Sequence, residues 1–191
     1  MVENVSEPAG GRAVLVTGAA RGIGWAIARR FAAAGDRVAI LDTKVSVGVA
    51  EELVAGLDGS GHAVVEADLM DGEAVLSAVN SAAGQLGGLD VLVNNAGIFV
   101  AHPITEVDYA AWQEHWWSTL GVNLVGAANV TWCAVRHMKE RGGRIVNVSS
   151  RGAFRGEPDE IAAGVFYLAS AQAEWASGTI LDLNGASYLR T

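Results

Sequence analysis

The feature that most restricts this chain is a repeated alternation between two hydrophobic periods. A short apolar run, RAVLVT at 12–17, leads into a helix, GIGWAIARRFAAAG at 22–35, and then into a second apolar run, RVAILD at 37–42. The pattern continues with a helix over 46–57, a strand HAVVEAD at 62–68, a helix over 72–85 and a strand LDVLVNNAG at 89–97. A long helical stretch over 108–141 follows, with Leu120, Leu124, Ala127, Thr131, Val135 and Met138 on one expected apolar face. The strand GRIVNVSS at 143–150, a helix over 159–170 and a terminal strand GTILDL at 178–183 complete the order. Several strands are apolar at every position, as required of strands covered on both faces. Parallel strands need long crossovers, and the intervening helices supply them. The expectation is a doubly wound α/β fold with a mostly parallel sheet. No linker-like shift of composition and no repeat interrupts it, so residues 1–191 read as one domain.

Composition narrows the partners. Lys plus Arg number 13 against 21 Asp plus Glu, a net charge of −8. Such a surface repels a phosphate backbone, so nucleic acid is not an expected partner. No apolar run approaches the roughly 18 residues that span a bilayer, so no membrane partner is expected either. The leader MVENVSEPAGG, residues 1–11, is polar and acidic without an apolar core, and reads as a flexible tail rather than a signal peptide. Cys133 is the single cysteine and has no internal disulfide partner. His62, His102, His115 and His137 are scattered and, with Cys133, show no metal-ligand spacing. Together these suit a reducing cytoplasm.

The first strand-to-helix turn reads Thr17-Gly18-Ala19-Ala20-Arg21-Gly22-Ile23-Gly24. Glycine lets the backbone approach a ligand closely, and the amides that open the following helix suit a pyrophosphate. The spacing G-x-x-x-G-x-G departs from the common G-x-G-x-x-G dinucleotide fingerprint. Taken alone, such a turn is equally a tight connection between strand and helix. Asp42 adds weight, because it closes the second strand 24 positions after Gly18. An acidic group there can hold adenosine ribose hydroxyls, and it would repel a 2′-phosphate. NAD is therefore expected over NADP, with Arg21 and Lys44 as the cations that could pair with a 2′-phosphate instead.

With TGxxxGIG at 17–24, Asp68 in EADLMD, NNAG at 94–97, VNLVG at 122–126 and IVNVSS at 145–150, the chain resembles the short-chain dehydrogenase/reductase family. It looks most like the members similar to 3-oxoacyl-carrier-protein reductases. The resemblance implies a Rossmann-type fold and hydride transfer between NAD(P) and a secondary alcohol or ketone. It places Gly18, Gly22, Ile23 and Gly24 at the pyrophosphate and Asp42 at the adenosine ribose, with Arg21 beside them as a further cofactor-binding candidate. Asp68 and the backbone of Leu69 would meet the adenine. Asn95, Ala96 and Gly97 would sit beside the nicotinamide-side ribose, and Asn94 would brace neighbouring strands. Ser150 matches the serine that donates to the substrate oxygen, and Asn123 matches the helix asparagine that holds water for the proton relay. The family usually pairs through its long helix, implying a homodimer or homotetramer. For Trp112, Trp116, Trp117 and Trp132, in or beside that helix, core packing is the first expectation.

The acid/base pair of the family, a tyrosine with a lysine four positions later, has no match. The lysines are Lys44 and Lys139, and Tyr109 and Tyr167 are followed four positions on by Gln113 and Ala171. Tyr167 is expected to pack with Val165, Phe166 and Leu168. The family carries its Tyr–Lys helix and a sixth strand after the serine, so a seam is expected within 157–160. Either a mobile segment there belongs to a longer protein, which is the expectation, or it has been deleted. With only these 191 residues, a nucleotide-binding module without turnover is the alternative function.

Overall fold

A computed structural model describes residues 11–149 and 158–183. Nearly all of the expected tail and the candidate serine Ser150 lie outside the described residues. The elements are β1 (Ala13–Thr17), α1 (Gly22–Ala33), β2 (Arg37–Asp42), α2 (Lys44–Val54), β3 (Ala63–Glu66) and α3 (Gly72–Leu86). They are followed by β4 (Val91–Asn94), α4 (Tyr109–Leu120), a π-helical segment (Gly121–Gly126), α5 (Ala127–Met138), β5 (Arg144–Asn147), α6 (Pro158–Leu168) and a 3₁₀ turn (Ala171–Ala176).

The five strands form one parallel sheet in the order β3-β2-β1-β4-β5. The doubly wound architecture is thus as expected. Each central strand feeds two cores by its period-2 alternation. Ala13, Leu15, Ala39, Leu41 and Leu92 face α3 and α5, whereas Val14, Val16, Val38, Ile40, Val91 and Val93 face α1 and α6. Local chemistry sets the helix ends. The Asp71 carboxylate accepts the amides of Glu73 and Ala74 at 3.0 and 3.1 Å, which starts α3. Asp108 does the same for α4 through the Ala111 amide at 2.8 Å.

The long helix departs from expectation. It is interrupted by the π segment, which takes up an extra residue and rotates everything beyond it. The buried face of α5 is therefore Val130, Cys133, Ala134 and Met138, while Leu124 is 62% exposed and Val135 44%. No residue of α4 is buried. The tryptophans consequently do not fill the core: Trp117 is 71% exposed and Trp132 57%, the latter beneath the Arg136 guanidinium at 4.1 Å. Tyr167 likewise points outward, while its neighbour Phe166 packs on Phe31 with ring centroids 5.2 Å apart. Burial pushes the Cys133 thiol up, against the opposing pull of Arg136.

The expected strand over 178–183 is not formed. The sheet ends at β5 among the described residues, and no further strand is present there to pair with it. Leu181 and Leu183 instead lie near Gly164 of α6.

Arg12 ties the last helix to the first half of the chain. Its Nε and NH2 donate to the Asp36 carboxylate at 3.1 and 2.6 Å, and its NH1 donates to the Ala169 carbonyl at 2.8 Å. The guanidinium also lies 5.4 Å from the Phe31 ring centroid and 5.3 Å from that of Phe166. Both partners of the ion pair are nearly shielded, at 11% and 5% exposure. Removing one member of a buried pair leaves the other charge uncompensated, at a cost of about 3–5 kcal/mol. Arg12→Ala should therefore lower unfolding stability by about 3 kcal/mol in urea denaturation. A change below about 1 kcal/mol would mean that the network is solvated and contributes little.

Candidate functional site

The strand order makes a crevice. The chain steps from β1 outward to β3, then crosses back to β4 on the other side of β1. The connections after β1 and β4 leave towards opposite faces, opening a gap at the carboxyl ends of the strands. The glycine turn, Asp42, Asp68 and the Asn95–Gly97 loop all stand at that end.

Thr17 and Asn95 lock the two sides of the crevice together. The Thr17 hydroxyl oxygen, on a residue only 1% exposed, accepts the Asn95 and Ala96 amides, both at 3.0 Å. The Asn95 carboxamide in return donates to the carbonyls of Thr17 and Gly18 at 3.0 and 3.1 Å. Gly24 sits beneath this link: a Cβ there would lie 2.6 Å from Asn95 Nδ2, so any other residue would break it.

The glycine turn is also tied outward. Gly18 N–H donates to the Leu41 carbonyl at 2.8 Å, and Ala20 N–H donates to the Asp42 carboxylate at 3.0 Å. The other Asp42 oxygen accepts the Thr43 amide at 2.8 Å. Gly22 takes a φ of +56°, and a Cβ there would meet nothing within 4 Å. Arg21 is exposed and caps α1 without any side-chain hydrogen bond, and the first turn holds no acidic residue. Unlike α3 and α4, this helix start presents its amides without a carboxylate cap.

Asp68 is exposed just past β3, at the start of the connection to α3, where its carboxylate accepts the Met70 amide at 2.9 Å. Leu69 beside it is buried. On the β4 side, Asn94 donates to Thr131 Oγ1 at 2.9 Å and to Asn147 Oδ1 at 2.8 Å, joining β4, β5 and α5. Its Oδ1 is buried without a partner among the described residues.

Asn123 finds a backbone partner across the crevice. Its Oδ1 accepts the Ile98 amide at 2.8 Å and its Nδ2 donates to the Ile98 carbonyl at 2.9 Å. Both ends of the carboxamide clamp the loop just past Gly97. A π segment, which loosens the regular helix ladder, presents it there.

Sequence reasoning missed Thr17, Ile98 and the π segment. Thr17 was legible as the polar end of an otherwise apolar strand, and Asn123 as an unfavourable residue for a helix interior. Ile98 carried no signal, since only its backbone is used. The histidines serve local contacts: His62 accepts the Val38 amide at 3.1 Å, and His137 pairs with Asn80 at 2.8 Å. No group of three or more His, Cys, Asp or Glu side chains suited to a metal occurs among the described residues. No helix among them is long and apolar enough to cross a membrane.

Comparison with known proteins agrees with this geometry. The chain is 38% identical over 154 residues to a 3-oxoacyl-[acyl-carrier-protein] reductase of Aquifex aeolicus, covering 79% of this chain and 60% of that protein. It is 42% identical over 143 residues to a cis-4-hydroxycyclohexanecarboxylate dehydrogenase of Sinomonas cyclohexanicum, covering 73% and 55%. These matches span little more than half the length of the curated relatives. A 3-ketoacyl-(acyl-carrier-protein) reductase from Brucella melitensis, complexed with NADH, superposes with a TM-score of 0.80 at 25% identity, covering 92% of this chain and 98% of that one. A short chain dehydrogenase from Burkholderia cenocepacia in complex with NADP gives 0.65 at 36% identity, covering 88% and 66%. A family model described as short chain dehydrogenase matches residues 12–173, and with the ordered motifs and the β1–β4 crevice this makes the chain a member of the short-chain dehydrogenase family.

Proposed function

We propose that this protein is an oxidoreductase that uses NAD, with NADP as the alternative, to interconvert a secondary alcohol and its ketone. The observation that carries the reading is the uncapped start of α1 beside the open space at Gly22, with Asp42 across the turn. A pyrophosphate fits that cradle chemically: the amides are unpaired by side chains and no carboxylate competes. In this reading Gly18, Gly22, Ile23 and Gly24 hold the pyrophosphate, and Arg21 stands where it could meet a 2′-phosphate. Asp42 takes the adenosine ribose with the lone pairs its two backbone contacts leave over. Asp68 and the Leu69 backbone take the adenine, and Asn95, Ala96 and Gly97 flank the second ribose. Relatives crystallised with NADH and with NADP support a nicotinamide dinucleotide without separating the two.

The dinucleotide, when bound, supplies the hydride donor or acceptor. Asn123 positions the loop at its nicotinamide end by gripping Ile98. Ser150 is proposed as the donor to the substrate oxygen. Proton transfer needs a further group, because an unassisted serine hydroxyl is too weak an acid. General acid–base catalysis is typically worth about 10²–10⁴-fold. Tyr167 is half exposed on α6 and has Ala171 four positions on, so no lysine supports it.

A second reading rests on that gap. With no Tyr-x-x-x-Lys anywhere in the 191 residues, the chain as it stands is a nucleotide-binding module. We regard it as one Rossmann domain with a segment missing or deleted near 157–160. The exposed strip of Trp117, Leu124, Trp132 and Val135 supports pairing of two copies into a homodimer or homotetramer, and a cytoplasmic location is part of the same proposal.

Calorimetric titration should find NADH binding about tenfold more tightly than NADPH, or roughly 1.4 kcal/mol, with Asp42→Ala erasing the difference. An NADPH preference in the wild type would transfer the decisive role to Arg21 or Lys44. Gly22→Asn should keep the fold, since asparagine tolerates a left-handed φ, but lose NADH binding because its side chain fills the cradle. Unchanged binding would make the turn purely structural. These 191 residues alone should bind NADH without turning over a panel of secondary alcohols with NAD, whereas a longer protein carrying the Tyr–Lys segment should turn them over and lose that activity on Ser150→Ala. Robust turnover by the 191 residues alone would require another acid, with Tyr167 examined first.

A further inference from the structure

Two glycines bound the π segment, and they meet different obstacles. A Cβ on Gly121 would lie 2.9 Å from Met70 Cε, the free end of a flexible side chain. A Cβ on Gly126 would lie 2.6 Å from Leu69 Cβ and 3.0 Å from the Leu69 carbonyl oxygen. The first clash is relieved by a rotamer change at Met70. The second is not, because Leu69 Cβ and its carbonyl move only with the backbone. Gly126 is buried, and so is Leu69, at 5% exposure. The π segment therefore rests directly on the turn that holds Asp68. Three residues before Gly126, Asn123 grips both backbone groups of Ile98.

We propose that Gly126 is a positioning residue that couples the two ends of the dinucleotide site. Its missing Cβ lets one short piece of helix set the Asp68–Leu69 turn and the loop after Gly97 together. The inference rests on the nucleotide reading above and adds a mechanical link between the adenine side and the nicotinamide side. Occupation of one end then restrains the other, a coupling that is reciprocal by thermodynamic necessity.

The test compares wild type, Gly126→Ala and Gly121→Ala by titration with AMP, which carries only the adenine half, and with NADH. Titrations are run well below each variant's melting temperature, so that loss of fold is not read as loss of affinity. Alanine is ordinarily the better helix former, so a purely local effect of Gly126→Ala would be benign. The coupling predicts AMP affinity lowered about tenfold in Gly126→Ala and within about twofold of wild type in Gly121→Ala. In the wild type, AMP should also slow hydrogen exchange over residues 121–126 and at Ile98. Wild type that binds neither AMP nor NADH overturns the nucleotide reading itself. Wild type that binds AMP, with Gly126→Ala binding it equally well, overturns only the coupling. If Gly126→Ala does not fold, hydrogen exchange decides: protection by AMP confined to the glycine turn and residues 68–69 contradicts the proposal.

Discussion

Everything proposed for the cleft depends on how β1 is tied to β4 at the point where the strand order reverses. One buried hydroxyl, that of Thr17, accepts two backbone amides from the far side, and one carboxamide, that of Asn95, returns two hydrogen bonds to the near side. Buried amides left unpaired cost about 1–3 kcal/mol each, so this reciprocal set is strongly favoured over any splayed arrangement. It fixes the distance between the glycine turn and the Asn95–Gly97 loop. Gly24 must lack a side chain for the link to close. The glycine pattern is thus a packing requirement at one position and an opening towards solvent at another.

A second constraint acts at the far side of α1. Arg12, Asp36, Phe31 and Phe166 form one shielded cluster that anchors α6 and the Ala169 carbonyl to the start of the sheet. The helix following the expected seam therefore docks against α1 through specific contacts, although the residues that precede it lie outside the description. On the other face of the sheet, α4, the π segment and α5 leave Trp117, Leu124, Trp132 and Val135 exposed. That contrast separates the side of the chain that completes its own core from the side on which copies are proposed to pair.

The chain order of strands and helices as far as β5 was legible because apolar strands and clearly marked helix ends leave little freedom. Asp71, Asp108 and Gly35 mark ends that the chain itself announces. The interruption of the long helix was not legible. An extra residue in one turn is invisible to a pattern read at constant period, which points the face containing Leu124 and Val135 at the core, whereas Val130, Cys133 and Ala134 occupy it. The strand expected at 178–183 failed for another reason. Strand-forming residues specify a strand only when they lie along a neighbour they can pair with, and Leu181 and Leu183 lie against Gly164 of α6 rather than along the β5 edge. Within the site, the acidic and glycine positions stand together at one end of the sheet. The contact of Asn123 with Ile98 was hidden because the partner contributes only backbone.

The most direct test of the central claim is the structure of this protein crystallised with NADH. The account predicts the pyrophosphate on the amides of Gly22–Gly24, the adenosine ribose on the Asp42 carboxylate and the second ribose beside Asn95–Gly97. Nucleotide bound elsewhere, or a crevice that stays closed to NADH at saturating concentration in solution, would contradict it.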